Sequence, residues 1–206
     1  VLSNEGGVVE LAFREGGGWK APVPEVYAEP FARWMRARYA DEAAWRLAWG
    51  LDVQTGESLA GGVALPTQWR SMGARQRDFM RFVSELEQET YRWMHDSASA
   101  QGFKGLTTGY NNGNWLHSDI SRSALALVDM HAYHAHPTAF VSPGSTVAPD
   151  SSLPKGAAYL RELMSSRQWG KPFTVTEYGH AFWNAYRREA AALVPAYAAF
   201  QGWDLL

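Results

Sequence analysis

Two glutamates, Glu5 and Glu177, stand where short apolar segments end, and together they could cleave a glycosidic bond. Glu5 follows "VLSN", and Glu177 closes "KPFTVTE", a buried-strand pattern introduced by Pro172. In glycoside hydrolysis one carboxylic acid protonates the leaving oxygen and a second carboxylate attacks the anomeric carbon. Different surroundings would set the two roles apart. The alternative interpretation is that each acid is an ordinary residue at the rim of a core.

Further polar and aromatic side chains also follow the ends of predicted strands. The candidates for substrate binding are Asn4, His131, Tyr133, Asn114, Trp115 and His180. Asn111, Asn114 and Trp115 could line a binding site or could equally form a turn, because Asn and Gly favour turns. The run of His131, His134 and His136 could suggest a metal site. However, 131 and 134 point to opposite strand faces, and no carboxylate falls at ligand spacing, so we expect no metal.

Composition narrows the function classes. The chain has 206 residues, enough for one domain with a sizeable core, and its net charge of −2 does not favour nucleic acid or an anionic membrane as partner. It contains ten Trp, nine Tyr and nine Phe. This aromatic content fits either a large core or a sugar site, because sugar rings stack on aromatic planes. Cysteine is absent, which excludes disulfides and thiolate chemistry, and no apolar run is long enough to span a membrane.

The order of predicted elements indicates a parallel α/β sheet or barrel. We expect helices at 31–40, 42–49, 74–100, 154–170 and 184–199, and strands at 102–110, within 124–137 and at 173–177. Residues 6–73 read as a loop and helix insertion. Both ends look cut through strands, so we expect missing strands to come from the rest of the same protein or from another chain.

The motifs "LSNE", "DMHAYHAHP" and "TEYG" resemble those of the retaining glycoside hydrolases of clan A, particularly bacterial, cellulase-like and β-galactosidase-like members. The resemblance implies a (β/α)8 (TIM) barrel, of which this chain would cover the C-terminal half, from strand four to the start of strand eight. It also implies a secreted or periplasmic enzyme of polysaccharide degradation that acts on an oligo- or polysaccharide without a cofactor.

The same resemblance implies roles for individual residues. Glu5 would be the general acid/base and Glu177 the nucleophile. Asn4 would bind a hydroxyl next to the anomeric carbon, Tyr133 would donate a hydrogen bond to Glu177, and His131 would orient the substrate or the nucleophile.

Two other functions stay open on the sequence. The chain could be a non-catalytic carbohydrate-binding barrel, since the aromatic residues would serve binding equally well. It could also be a metal-dependent barrel hydrolase that uses the histidine run. The sequence does not indicate which sugar is bound. The segments at 6–30 and 51–73 are long enough to obstruct a cleft, which favours exo action or short oligosaccharides as substrates.

Overall fold

The structure is a computed structural model that describes residues 1–8, 23–68, 71–139 and 142–206. Its elements are α1 (Val23–Arg38), α2 (Glu42–Trp49), α3 (Ala74–Ala100), α4 (Leu116–Arg122), β1 (Val128–His134), α5 (Ala158–Ser165), β2 (Phe173–His180) and α6 (Arg188–Gln201), with short 3₁₀ turns at Gly50–Asp52 and Leu153–Lys155. No described helix is long and apolar enough to cross a membrane. The chain divides into two compact units, one formed by Val1–Gly6 and Thr90–Leu206 and the other by Gly7–Glu89.

The first unit is built on a small parallel sheet. β1 pairs with β2, and α5 and α6 pack on the strands. Side chains alternate across a strand, so Met130 and Val175 are fully buried in a core that also contains Leu163 and Val194. The other face of β1 carries polar residues, described below.

The second unit has its own aromatic core, whose largest buried members are Phe31, Met35, Trp45, Trp49, Phe79 and Phe82. A buried ion pair lies beside it: Arg75 binds both carboxylate oxygens of Glu57 at 2.6 and 2.7 Å. The guanidinium group also lies over the ring of Trp49 at 4.8 Å. The predicted insertion at 6–73 overlaps this unit, although its residues 9–22 and 69–70 lie outside the described part of the chain.

The predicted half barrel is wrong. Half of a (β/α)8 barrel has four parallel strands, whereas the described residues form one two-stranded parallel sheet. The segment 102–110, predicted as a strand, is irregular and makes only a single parallel bridge, from Gly109 to Ser3. Glycines weaken strands, and this segment has them at 102, 105 and 109; the backbone then turns at Tyr110, whose φ is +55°. At the other end, Leu205 makes one parallel bridge to Thr174.

The predicted helices agree only in part with the structure. The helices at 42–49 and 74–100 are confirmed, and Asp41 caps the first of them by accepting a 2.8 Å hydrogen bond from the Ala44 amide. The first helix begins at Val23 instead of 31, so that Pro30 lies inside it, and α4 is a helix that the sequence did not predict. On the long helix Trp93 is 68% exposed, although its side chain is large and apolar.

Candidate functional site

The polar face of β1 supplies the centre of the site. Asp129, His131 and Tyr133 alternate along the strand and therefore point to the same side. Asp129 is completely buried, and its two oxygens accept four hydrogen bonds: from Thr174 Oγ1 (2.7 Å), the Thr176 amide (3.1 Å), Thr176 Oγ1 (2.6 Å) and Asn111 Nδ2 (2.9 Å). A buried charge needs such a set of donors to be stable.

An irregularity in β2 brings Glu177 to that same face. The pairing with β1 shifts after Met130, which pairs with Val175, because His131 pairs with Glu177 and leaves Thr176 as an extra residue. In a regular strand Thr176 and Glu177 would point to opposite faces. Because of the bulge, both side chains lie on the sheet face that carries His131. Bulges commonly change the direction of a side chain in this way. The strand was predicted to end at Glu177, but it continues to His180.

Glu5 reaches the same place from the N-terminal segment. Its backbone has a positive φ of +47°, which is uncommon for a residue other than glycine. The buried side chain of Asn111 fixes this conformation, because Asn111 Oδ1 accepts the Glu5 amide at 2.6 Å. The backbone carbonyl oxygen of Asn111 accepts a second hydrogen bond, of 2.8 Å, from the backbone amide of His131. One asparagine thus links the segment of Glu5 to β1.

The two glutamates meet at one nitrogen of His131. Nδ1 lies 3.0 Å from Glu5 Oε1 and 3.5 Å from Glu177 Oε1. One oxygen of each glutamate and Nδ1 all lie within 4.8 Å of one another. The other oxygen of Glu177, Oε2, accepts a 2.8 Å hydrogen bond from the Tyr133 hydroxyl. Residues from both ends of the chain therefore form one compact polar cluster.

On the other side of the imidazole, Nε2 lies 3.0 Å from Thr176 Oγ1 and 3.0 Å from Asn111 Nδ2. If Nε2 accepts from Asn111, the ring proton sits on Nδ1; if Nε2 donates to Thr176, Nδ1 carries a proton only in the charged ring. Carboxylate oxygens of Glu5 and Glu177 lie next to Nδ1, and an ionised carboxylate can only accept, so these neighbours favour a proton on Nδ1.

Burial and neighbouring charges shift the pKa values of three residues in this cluster. Burial alone would lower the pKa of His131, but the neighbouring carboxylates of Asp129, Glu5 and Glu177 outweigh it and raise the pKa. Burial also opposes ionisation of Asp129, yet the nearby His131 and the hydrogen bonds from Asn111, Thr176 and Thr174 lower its pKa to about 2. Burial, together with the Glu177 carboxylate, raises the pKa of Tyr133 to about 12. The cluster thus favours a charged imidazole, an ionised Asp129 and a protonated tyrosine.

The cluster opens into a pocket of about 500 Å³. Glu5, His131, Tyr133 and Glu177 line it, together with Asn112, Ala132, His136, Pro137, Glu162, Ala181 and Phe182. The side chains of both Glu5 and Glu177 are 40% exposed. A ligand in this pocket would have direct access to both carboxylates.

Four of the residues predicted for the site do not line this pocket. Asn4, Asn114 and Trp115 are exposed and lie outside the set of lining residues, and Trp115 precedes α4. His180 projects to the opposite strand face, where it packs at 4.8 Å from the ring of His134 and at 5.8 Å from Tyr159. The structure brings together Glu5, Glu177, His131 and Tyr133.

The second histidine cluster is distinct from the pocket. In this cluster His134 Nε2 lies 3.1 Å from Asp150 Oδ1. His180 Nε2 lies 3.4 Å from Glu189 Oε2, but the geometry of this second contact is not that of a hydrogen bond. Hydrogen bonds from Ser151 and Ser152 outweigh desolvation and lower the pKa of Glu189 to about 2. These contacts attach the 150–152 loop to α6.

Three residues that hold the cluster in place were not among the predicted site residues: Asp129, Asn111 and Thr176. Asp129 stands two residues before His131, a spacing that places both side chains on one strand face and could have drawn attention to it. Asn111 was weighed but left between a site and a turn. Thr176 gave no signal, because its role depends on the bulge.

No protein-family model, no curated protein and no solved structure matches this chain. The function is therefore argued from the chemistry of the cluster and its pocket, since function resides in a site more than in a fold.

Proposed function

We propose that this protein hydrolyses β-linked glycosides with retention of configuration, through a covalent glycosyl-enzyme. The observation that carries the proposal is the convergence of Glu5 and Glu177 on His131 Nδ1 at 3.0 and 3.5 Å, at the surface of an open pocket. Two half-exposed carboxylates with one shared polar neighbour are the groups that acid/base and nucleophilic catalysis at an anomeric carbon require.

The separation of the carboxylates favours retention over inversion. Oxygens of Glu5 and Glu177 lie within 4.8 Å of each other. Retaining enzymes hold their two carboxyl groups about 5–5.5 Å apart, whereas inverting enzymes need about 6.5–9.5 Å to admit a water molecule between acid and base. The observed separation is therefore closer to that of retaining enzymes.

Glu177 is the nucleophile in this proposal. The hydroxyl of Tyr133 donates to its Oε2 at 2.8 Å and so fixes the carboxylate, whose second oxygen, Oε1, lies 3.5 Å from His131 Nδ1. Attack by the carboxylate on the anomeric carbon forms the carbon–oxygen bond as the glycosidic carbon–oxygen bond breaks. The covalent intermediate then reacts with water.

Glu5 is the acid and then the base. Its amide is fixed by Asn111 and its carboxyl group is next to His131, so its position is set by two separate contacts. As acid it gives a proton to the departing oxygen, and as base it removes a proton from the attacking water. His131 donates from Nδ1 towards both glutamates and stabilises whichever of them is ionised.

The test is hydrolysis of 4-nitrophenyl β-glucoside, β-galactoside, β-mannoside and β-xyloside, with the anomeric configuration of the first product followed by proton NMR. We expect a β-configured first product from the wild-type protein. Glu177→Gln is nearly isosteric and should lower turnover by about four orders of magnitude or more, since it removes the nucleophile. Glu162→Gln, another carboxylate of the same pocket, should cost far less.

Each outcome bears on a different part of the proposal. An α-configured first product would replace retention with inversion. Turnover that survives Glu177→Gln would show that Glu177 is not the nucleophile. Sugar binding without any turnover would favour the alternative of a non-catalytic carbohydrate-binding protein.

A second candidate function rests on the same three residues. Glu5, His131 and Glu177 present two carboxylate oxygens and an imidazole nitrogen within 4.8 Å of one another, a set that could bind a divalent metal. Nε2 of His131 faces Thr176 and Asp129, as expected for a histidine oriented by a carboxylate on its far side. A metal-dependent hydrolase would lose activity with a chelator and regain it with Zn²⁺ or Mn²⁺, whereas the proposed glycosidase would not respond.

A further inference from the structure

We propose that Phe182 and Trp183 form an aromatic platform that holds a second sugar ring of the substrate, next to the ring at Glu5 and Glu177. This inference rests on the proposed function. It would make the protein an enzyme of oligosaccharides or polysaccharide chains, whose recognition extends beyond the sugar that is cleaved.

The two rings are exposed although they are large and apolar. Phe182 is 58% exposed and Trp183 is 80% exposed, and their ring centroids lie 4.1 Å apart. They therefore contribute little to the core of the first unit. Exposed aromatic surface that is contiguous is a common mark of a binding site.

The pair is continuous with the pocket. Phe182 lines the same cavity as Glu5 and Glu177, and Trp183 follows it in the chain. Both residues come directly after β2, the strand that carries Glu177. A sugar chain bound with one ring at the glutamates would meet Phe182 as it leaves the pocket.

The backbone holds the two rings in place. The Ala181 amide donates to His134 O at 3.2 Å, and the buried side chain of Asn184 donates to Ala148 O (3.0 Å) and Asp150 O (3.1 Å). Between these anchors Trp183 has a φ of +79°, a conformation that non-glycine residues rarely adopt. The segment is therefore fixed on both sides of the exposed pair.

The rings also match the chemistry of a sugar. A pyranose ring has one face lined by C–H groups, which packs on an aromatic plane, while its hydroxyls stay in water. The Arg187 guanidinium lies 5.1 Å over the Phe182 ring, where it orients that ring and can donate to hydroxyl groups nearby. An apolar ring beside a donor suits a neutral sugar.

The test uses Phe182→Ala and Trp183→Ala with Trp169→Ala as the control. Trp169 is 99% exposed and precedes β2, so it lies by the opposite end of the strand. Substrates are the 4-nitrophenyl β-glycoside that the wild-type protein hydrolyses best and the β-linked oligosaccharides of two to six units of the same sugar. We expect each platform variant to lower kcat/KM on the longer oligosaccharides about fivefold more than on the single-sugar glycoside. Trp169→Ala should change neither.

Binding is measured separately, so that failure of the platform and failure of the proposed function can be distinguished. Titration of the wild-type protein with the same oligosaccharides should change tryptophan fluorescence, and Trp183→Phe should remove most of that change while Trp169→Phe should keep it. A fluorescence change without turnover would refute the glycosidase but support the platform. Equal kinetic losses at all substrate lengths, no change in fluorescence, or a change of oligomeric state in Phe182→Ala would overturn the platform.

Discussion

Asp129→Asn is the most informative change at the base of the site, because it keeps the size of the side chain and removes its charge. Each oxygen of Asp129 faces one amide donor that cannot become an acceptor: Oδ1 faces the Thr176 amide and Oδ2 faces Asn111 Nδ2. Whichever way the new carboxamide turns, its NH₂ group meets one of these donors. A buried donor left without an acceptor costs about 1–3 kcal/mol.

The pKa gives a second measure of the same effect. The pKa of Asp129 is lowered to about 2 in the folded state, against about 3.9 in an unfolded chain. A lowered acid pKa stabilises the folded state above the unfolded pKa, and this stabilisation is lost as the pH falls through the folded pKa. The difference amounts to about 2.6 kcal/mol at neutral pH, and about half of it remains at pH 3.

We therefore expect Asp129→Asn to lower the free energy of unfolding of the first unit by about 3 kcal/mol at pH 7. The gap between wild type and variant should shrink by about half at pH 3. Amide hydrogen exchange in β1 and β2 measures this unit directly, and urea unfolding between pH 7 and 3 gives the pH dependence. Asp96→Asn, an exposed acid in the same unit, should leave both measurements unchanged.

A gap below about 1 kcal/mol at pH 7 would show that the four hydrogen bonds on Asp129 do not form as described. A gap that stays constant between pH 7 and 3 would refute the lowered pKa, even if the destabilisation were large. The variant should also lower the pKa of His131, since it removes one of the carboxylates that favour the imidazolium; NMR titration of the ring protons would detect this.

Three further outcomes are expected. Glu5→Ala should slow substrates with poor leaving groups far more than 4-nitrophenyl glycosides, because only the former need protonation; equal losses would refute Glu5 as the acid. Burial, with a smaller effect from Arg122, lowers the pKa of His117 to about 4, so this residue should cost about 3 kcal/mol of stability as the pH falls from about 6.5 to 4. His117→Gln should flatten that part of the urea-unfolding profile, and an unchanged slope would contradict the shift. Arg75→Met should destabilise the second unit by about 3–5 kcal/mol in urea unfolding, because it leaves the charge of the buried Glu57 unpaired; Arg75→Lys keeps a positive charge at this position and should cost less, and equal losses would show that the charge pair is not the cause.

Local patterns predicted the elements that depend on nearby residues. The apolar spacing at 74–100 defines a helix by itself, and Asp41 caps α2, which begins at the next residue, through a hydrogen bond within one turn. Alternation along β1 was enough to put His131 and Tyr133 on one face. These features need no knowledge of what the elements pack against.

The features that failed depend on long-range pairing. A segment with strand composition becomes a strand only if a neighbour pairs along its length, and the 102–110 segment makes a single bridge instead. The barrel was predicted from the resemblance of three short motifs, and it requires strands that the described residues do not form. Glu177 was predicted as a site residue, but the bulge that brings it to the same sheet face as Thr176 could not be predicted, since a bulge changes which face a residue occupies without a mark in the local sequence.

The two candidate chemistries of the cluster place opposite demands on His131 Nδ1. A glycosidase needs a proton there, because Nδ1 then donates to Glu5 and Glu177 and keeps the nearby negative charges compatible. A metal needs the lone pair of the same atom and must displace that proton. Both cannot occur at once, so metal binding by this cluster would release a proton and weaken as the pH falls. Against the effect of burial, the carboxylates around His131 raise its pKa and thereby favour a proton on Nδ1, which supports the glycosidase. The affinity for Zn²⁺, measured at two pH values, would show how strongly this proton opposes metal binding.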